Sequence, residues 1–275
     1  MNEQHQAEDS GTSAGRSAEV LWNEDTYSAW TKRFGTPAEA AAKLIKDPEA
    51  KLYPLISYFG DVKDKKIMNL MGSNGMKAVA LGLLGARVAV ADFSEANARY
   101  AAELAQAAGV KLTYTVSDVL HLPEATVDGS YDIVFAELGI VHYFTDLAPF
   151  MDTVYRLLAP GGQFVLRDFH PVTTKLITSK GSTAKVRKHK VTGDYFDTSL
   201  EEKRISYSKY LPSGAEPAEA SQNVVFWRRW TLGEIVTAAA ASGLVIGKLA
   251  EEPNLSSDVY DKGIPKTFTL TAAKK

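Results

Sequence analysis

The chain contains no cysteine. That single absence excludes disulfides, thiolate zinc sites and cysteine nucleophiles, and it agrees with a reducing, cytoplasmic setting. Long hydrophobic runs are missing as well. None approaches the roughly 20 apolar residues that a membrane helix needs, and the opening MNEQHQAEDSGTSAGRSAE lacks the apolar core of a signal peptide. Nor is there an excess of one charge. Lys and Arg number 31 against 33 Asp and Glu, a formal net charge of −2. No basic field invites nucleic acid, and no strong acidity marks a disordered solvating chain. These absences predict a soluble cytoplasmic protein, monomer or homodimer, with no nucleic-acid or membrane partner.

What is present is ordinary for a globular protein: 275 residues, 45% hydrophobic and 23% charged, enough for one large domain with a cap. Residues 1–18 are polar and rich in small residues, the composition of a disordered tail. Residues 19–60 read as an N-terminal helical segment. Trp22, Tyr27, Trp30 and Phe34 cluster ahead of Gly35-Thr36-Pro37, and Pro37 opens a second helix from its first turn. Asp47-Pro48 opens a third, running through Leu52, Leu55, Ile56 and Phe59 at helical spacing. These helices either pack or fold over a site as a lid.

From 61 to the end the pattern is that of one α/β domain. Ile67 to Met71 is a short apolar strand, and Gly72-Ser73-Asn74-Gly75 is a turn of residues that tolerate positive φ. Met76 to Leu84 follows as a helix, and Arg87 to Ala91 as a second strand ending on Asp92. Ser94 caps a helix over Glu95 to Ala108, and Lys111 to Val116 delivers Ser117-Asp118-Val119 to a loop. Tyr131 to Leu138 is a fourth strand, Asp146 to Leu158 a helix, and Pro160-Gly161-Gly162 a sharp turn into a fifth strand. Strands alternating with helices predict a parallel sheet covered on both faces. Residues 171–227 hold no βαβ unit and read as an inserted, partly antiparallel cap. After it come the helix LGEIVTAAAASG and strands at Leu244 to Glu251 and Thr267 to Ala272. No repeat is visible.

The glycine turn, Asp92, Asp118, the stretch from Glu137 to His142, and Asp168-Phe169-His170 each follow a strand. In an open parallel sheet that edge is where ligands bind. A carboxylate ending the second strand and an acidic loop after the third favour an adenosine-type ligand. On these residues the chain resembles a class I S-adenosylmethionine-dependent methyltransferase of the small-molecule, type-11 group, closely over about 55–175 and more loosely over 228–274. The resemblance rests on Asn69-Leu70-Met71-Gly72-Ser73-Asn74-Gly75, Asp92, Asp118-Val119 and Pro160-Gly161-Gly162. It implies a Rossmann-like, doubly wound, mostly parallel seven-stranded sheet and S-adenosyl-L-methionine as cofactor. The implied cofactor residues are Asn69, Gly72, Ser73, Asn74, Gly75, Asp92, Phe93, Ser117, Asp118, Val119, Glu137 and Leu138. One stretch departs from the family pattern. Asn69 stands where an acid is usual, and Met71 and Ser73 occupy two of three glycine positions, with Gly75 in register. An acid for the cationic half of the cofactor would then come from Glu137 or be missing.

Methyl transfer from a sulfonium needs alignment first, and a base only where the acceptor must lose a proton. His142 and His170 are the candidate bases, because both follow strand ends and histidine titrates near neutrality. Tyr143 and Asp168 are placed to orient the acceptor, a small molecule, in a pocket shaped by Trp22, Tyr27, Trp30 and the cap. The competing reading is that each histidine merely satisfies a strand-end carbonyl. His5, His121 and His189 are read as non-functional. No metal is expected, and the basic run from Lys180 to Lys190 reads as a solvated loop. A non-catalytic binder of the same ligand is the alternative. A nicotinamide-dependent oxidoreductase fits less well, since that fold wants G-x-G-x-x-G after its first strand.

Overall fold

The computed structural model describes residues 26–180, 188–204, 224–253 and 263–275. The tail expected at 1–18, Trp22, and much of the basic run ending at Lys190 lie outside the described residues. Helix α1 (Thr26–Phe34) leads into α2 (Pro37–Lys46), whose Thr36 cap forms a reciprocal capping box with Glu39. Asp47 accepts from the N–H of Ala50 and starts α3 (Pro48–Leu52). The third helix does not run on through 59 as the spacing predicted. Pro54 lacks the N–H that would continue the ladder, and a separate short helix, α4 (Ile56–Phe59), takes over.

The domain proper alternates β1 (Lys66–Leu70), α5 (Met76–Leu83), β2 (Arg87–Asp92), α6 (Glu95–Ala108), β3 (Leu112–Val116), β4 (Tyr131–Glu137), α7 (Ala148–Leu157) and β5 (Leu158–Phe169). Two antiparallel pairs follow: β6 (Ile177–Lys180) with β7 (Lys188–Val191), and β8 (Leu200–Arg204) with β9 (Val224–Arg228). Helix α8 (Leu232–Ala241), β10 (Leu244–Glu252) and β11 (Thr267–Lys274) complete the fold. The main sheet has seven strands in the order β10-β11-β5-β4-β1-β2-β3. Strands β1 to β5 are parallel, and β11 runs antiparallel to both β5 and β10. The fold is therefore the doubly wound, mostly parallel sheet expected from the sequence.

Because side chains alternate along each strand, the sheet has two cores. Met68, Leu70, Val134, Ala136, Phe164 and Leu166 face α7 and α8. Ile67, Val90, Ile133, Phe135 and Val165 face the N-terminal helices, α5 and α6. Pro160-Gly161-Gly162 is a bulge inside β5 rather than a turn before it. Tyr131 pairs with Leu158 and Ile133 with Gln163, so the residues between bow out and the ladder resumes. The chain winds from β1 out to β3 and returns at β4. That reversal opens a crevice at the carboxyl ends of β1 and β4. Among the described residues no helix is long and apolar enough to cross a membrane.

Candidate functional site

The loop leaving β1 holds Met71 at φ 49°, Ser73 at φ 50° and Gly75 at φ 70°. These are the three positions where the resemblance puts glycine, and all three are left-handed. Two side chains therefore accept a conformation that costs an L-residue roughly 1–2 kcal/mol. Surrounding bonds hold them there. Met71 N–H donates to the Ala91 carbonyl at 2.7 Å, and the Tyr114 hydroxyl donates to the Ser73 carbonyl at 2.8 Å. The displaced Gly72 has its own reason. A Cβ there would sit 2.6 Å from Asn69 Oδ1 and 2.8 Å from Val90 Cγ1. A Cβ at Gly75 would meet that of Ala101 at 2.7 Å, so this glycine lets α5 begin against α6. Asn69 itself is buried beneath the loop, with its amide donating weakly to the Leu70 carbonyl at 3.4 Å.

Asp92 ends β2 and is almost wholly buried. Its Oδ2 accepts the Ser73 N–H at 3.0 Å, and its Oδ1 accepts the Ser94 N–H at 3.0 Å and the Asn97 amide at 3.2 Å. Burial pushes the carboxyl above its usual pKa, and these three hydrogen bonds pull against that. A carboxylate offers about four acceptor directions, so Oδ2 keeps capacity for a further donor. Phe93, half-buried, follows it. After β3 the loop closes on itself. Asp118 accepts from Leu120 N–H at 2.9 Å and lies 3.1 Å from His121 Nδ1, and Ser117 Oγ donates to the His121 carbonyl. Val119 turns into the core.

Glu137, at the end of β4, is engaged by two cations. Its carboxylate contacts the Lys77 ammonium and lies 3.3 Å from Arg167 Nη1. Arg167 also reaches Glu252 at 3.1 Å and Thr267 at 3.1 Å, and Tyr58 donates to Glu252 at 3.0 Å. Burial, with Lys51 and Arg167 nearby, pushes the Lys77 ammonium down to about 7. Glu137 is thus a structural ion-pair partner. It does not stand in for the acid missing at Asn69, because its charge is already matched.

Beyond β4 the chain turns through Leu138, 39% exposed at φ 55°, into a short helical turn at Val141–Tyr143. Asp168 of β5 fastens this turn. Its carboxylate accepts the N–H groups of Gly139 (2.6 Å), Ile140 (2.9 Å), Val141 (3.0 Å) and Phe169 (2.7 Å). From the other side the Trp230 indole donates to the carbonyls of Val141 and Phe144, at 3.0 and 3.1 Å. Asp168, expected to orient an acceptor, is consumed as the anchor of the turn. The turn presents His142, whose ring lies 4.2 Å from that of Trp227 and 4.3 Å from that of Tyr143. Burial lowers the His142 pKa, with Asp168 opposing and Arg229 reinforcing the shift. The Tyr143 phenol is pushed up by burial and by the negative charges of Asp92 and Asp168, and its ring meets that of Trp227 edge-on at 5.7 Å.

His170 is not free to act as a base. Its Nε2 lies 2.7 Å from Glu251, and its Nδ1 accepts the Val172 N–H at 3.1 Å, with the residue 3% exposed. The lone pair a base would use is already occupied. Tyr27 and Trp30 of α1 pack against α6. Tyr27 donates to Glu103 and meets the Tyr100 ring edge-on at 5.6 Å, and Trp30 Nε1 donates to Asn97 Oδ1 at 2.7 Å. The sequence reading missed Tyr114, Asn97 and Trp230. Asn97 alone carried a signal, standing on the helix stripe with Ala101 and Leu104 where an apolar residue is expected.

Residues 71–166 match the family model Methyltransf_11, described as a methyltransferase domain. Demethylmenaquinone methyltransferase of Thermus thermophilus is 34% identical over 109 residues, 39% of this chain and 48% of that protein. The chain thus spans about half the length of the curated relative it matches. A solved S-adenosylmethionine-dependent methyltransferase from Mesorhizobium loti superposes with TM-score 0.59 at 22% identity, over 81% of this chain and 97% of that one. The 1,6-didemethyltoxoflavin-N1-methyltransferase of Burkholderia thailandensis, solved with bound 1,6-didemethyltoxoflavin and S-adenosylhomocysteine, gives a TM-score of 0.57 at 16% identity, over 100% of this chain and 93% of that one.

Proposed function

We propose that this chain, which carries a methyltransferase domain of the type-11 group on the class I fold, transfers a methyl group from S-adenosylmethionine to a small-molecule acceptor. The observation that carries this reading is the left-handed loop from Met71 to Gly75, closed by the buried Asp92 carboxylate at the point where the sheet reverses. At Gly72 the loop packs directly onto the strands beneath, since a Cβ there would strike Asn69 and Val90. These residues fit the cofactor. The loop would face its methionyl half, Asp92 its ribose hydroxyls, and Asp118 and Val119 its adenine. When bound, the cofactor supplies an electrophilic methyl group on a sulfonium. The chain's own contribution is position. Holding acceptor and methyl in line is worth roughly 7–11 kcal/mol of the barrier.

His142 is the base we assign. Burial holds its imidazole below the usual histidine pKa and so neutral at pH 7, and the Tyr143 ring lies beside it. Exposed Leu138 and Phe169, with Trp227 of β9, make the acceptor side apolar and aromatic. Such a wall suits a planar, uncharged acceptor, with the 171–227 segment as its cap. The protein would work in the cytoplasm as a monomer or homodimer. A thermal-shift measurement tests the core of this reading: S-adenosylhomocysteine should raise the melting temperature and NAD should not. The reverse result rejects it. Release of S-adenosylhomocysteine in an acceptor screen then separates an enzyme from a non-catalytic binder.

A further inference from the structure

We infer that Trp30 is a positioning residue for Asp92, acting through Asn97, and that docking of α1 and binding of cofactor therefore reinforce one another. The inference rests on the assignment of Asp92 to the cofactor made above.

Asn97 stands between the two. Its Oδ1 accepts the Trp30 indole N–H at 2.7 Å, and its Nδ2 donates to Asp92 Oδ1 at 3.2 Å. Its backbone N–H donates to Ser94 Oγ at 3.2 Å, which fixes where the side chain starts. The residue is 1% exposed, so water cannot replace either partner. An amide has one accepting and one donating end, and an indole can only donate. Trp30 therefore requires the oxygen end, and the donating end is left for the carboxylate. In the reversed orientation the amide oxygen would face Asp92, and the indole would meet an NH₂ group. The same carboxylate holds Ser73 through its other oxygen. A hydrogen-bonded chain thus runs from the N-terminal helix to the cofactor loop, and each bond in it polarises the next.

Helix α1 has other attachments that bypass this chain. The Tyr27 hydroxyl donates to Glu103, and the Arg99 guanidinium lies 3.9 Å from the Tyr27 ring centre. Neither touches Asp92. Loss of helix docking and loss of the relay can therefore be separated by choosing the residue. Coupling between two sites is reciprocal, so ligation of Asp92 should also tighten α1.

The test compares Trp30→Phe with Tyr27→Phe in the full chain, using calorimetric binding of S-adenosylhomocysteine and hydrogen exchange of residues 26–34. Trp30→Phe keeps a ring and removes the donor. Its dissociation constant should rise about three- to tenfold, the effect of one net hydrogen bond. Tyr27→Phe leaves the relay intact and α1 still docked, so its affinity should stay near that of the wild type, although exchange over 26–34 quickens in both variants. In the wild type, S-adenosylhomocysteine should slow exchange over 26–34, and Trp30→Phe should lose that response while keeping ligand protection at 73–75. Equal weakening by both variants would show that only helix docking matters, and wild-type affinity in Trp30→Phe would remove the relay. Should that variant not fold, Asn97→Leu interrupts the chain at its middle, and unchanged affinity there overturns the inference equally. A wild-type protein that binds no S-adenosylhomocysteine rejects the cofactor reading itself, and the inference with it.

Discussion

The backbone N–H of Ser73 donates to Oδ2 of Asp92 across 3.0 Å, so the carboxylate that ends β2 also holds the loop that ends β1. One side chain serves both halves of the crevice. The loop holds Met71 and Ser73 at positive φ although neither is glycine, and Asp92 and Tyr114 fasten Ser73 from its N–H and its carbonyl.

Asp92→Ala should weaken S-adenosylhomocysteine binding by about 1.5–3 kcal/mol, the range for hydrogen bonds to a charged group. Titration calorimetry measures it directly. Unchanged affinity would place the ribose elsewhere.

Ser73→Gly should relieve a left-handed φ of 50°. The gain of roughly 1–2 kcal/mol is offset by the extra backbone entropy of glycine in the unfolded chain, about 0.5–1 kcal/mol. Urea denaturation should therefore show a net change between about zero and +1.5 kcal/mol. Ser73→Val, by contrast, puts a branched side chain where φ is positive and should destabilise. A destabilised glycine variant would mean that the Ser73 side chain, not its backbone, supports the loop.

His142→Gln should slow turnover on the order of 10²–10⁴-fold for an acceptor that must lose a proton, while S-adenosylhomocysteine affinity stays near that of the wild type. The same residue sets a pH dependence of stability. Its folded pKa lies below the unfolded value of about 6.5. Between the two, the unfolded chain binds more protons, so stability is complete above about pH 6.5 and declines as pH falls through that window. Below the folded pKa the decline stops. Denaturation midpoints at several pH values should show this slope in the wild type and lose it in His142→Gln.

Asp168→Asn should cost stability although it changes only one atom. Both oxygens of Asp168 accept backbone N–H groups, from Gly139 and Phe169 on one side and from Ile140 and Val141 on the other. Either orientation of an amide turns its NH₂ toward one of these pairs. Two buried donors are then orphaned at about 1–3 kcal/mol each, so a loss of roughly 2–6 kcal/mol is expected in urea denaturation. A loss under about 1 kcal/mol would show that the turn has another anchor.

The strands and the crevice were legible in the sequence because parallel strands buried on both faces read as continuous apolar runs, and turns between them need glycine or asparagine. Asp92 and Asp118 stood out as charges at the ends of such runs. The fates of Glu137, Asp168 and His170 were not legible. Each sits at a strand end, as a ligand-binding residue would, and each is engaged by partners that chain order does not bring near: Lys77 and Arg167, the 139–141 backbone, and Glu251. The helical spacing of Leu52, Leu55 and Phe59 hid the break at Pro54, whose missing N–H interrupts the ladder. Trp30 was read as pocket lining because an aromatic stripe shows its apolar face in the sequence, while its N–H finds a use only in three dimensions.

The buried guanidinium of Arg167 has a consequence for the order in which the molecule can assemble. Glu137 is 30 residues before it, but Thr267 is 100 residues and Glu252 85 residues after it. As the chain leaves the ribosome, β1 to β5 are all present long before those later partners exist. Glu137 can match the guanidinium's charge early, but its remaining N–H groups find buried partners only once β10 and β11 supply Glu252 and Thr267.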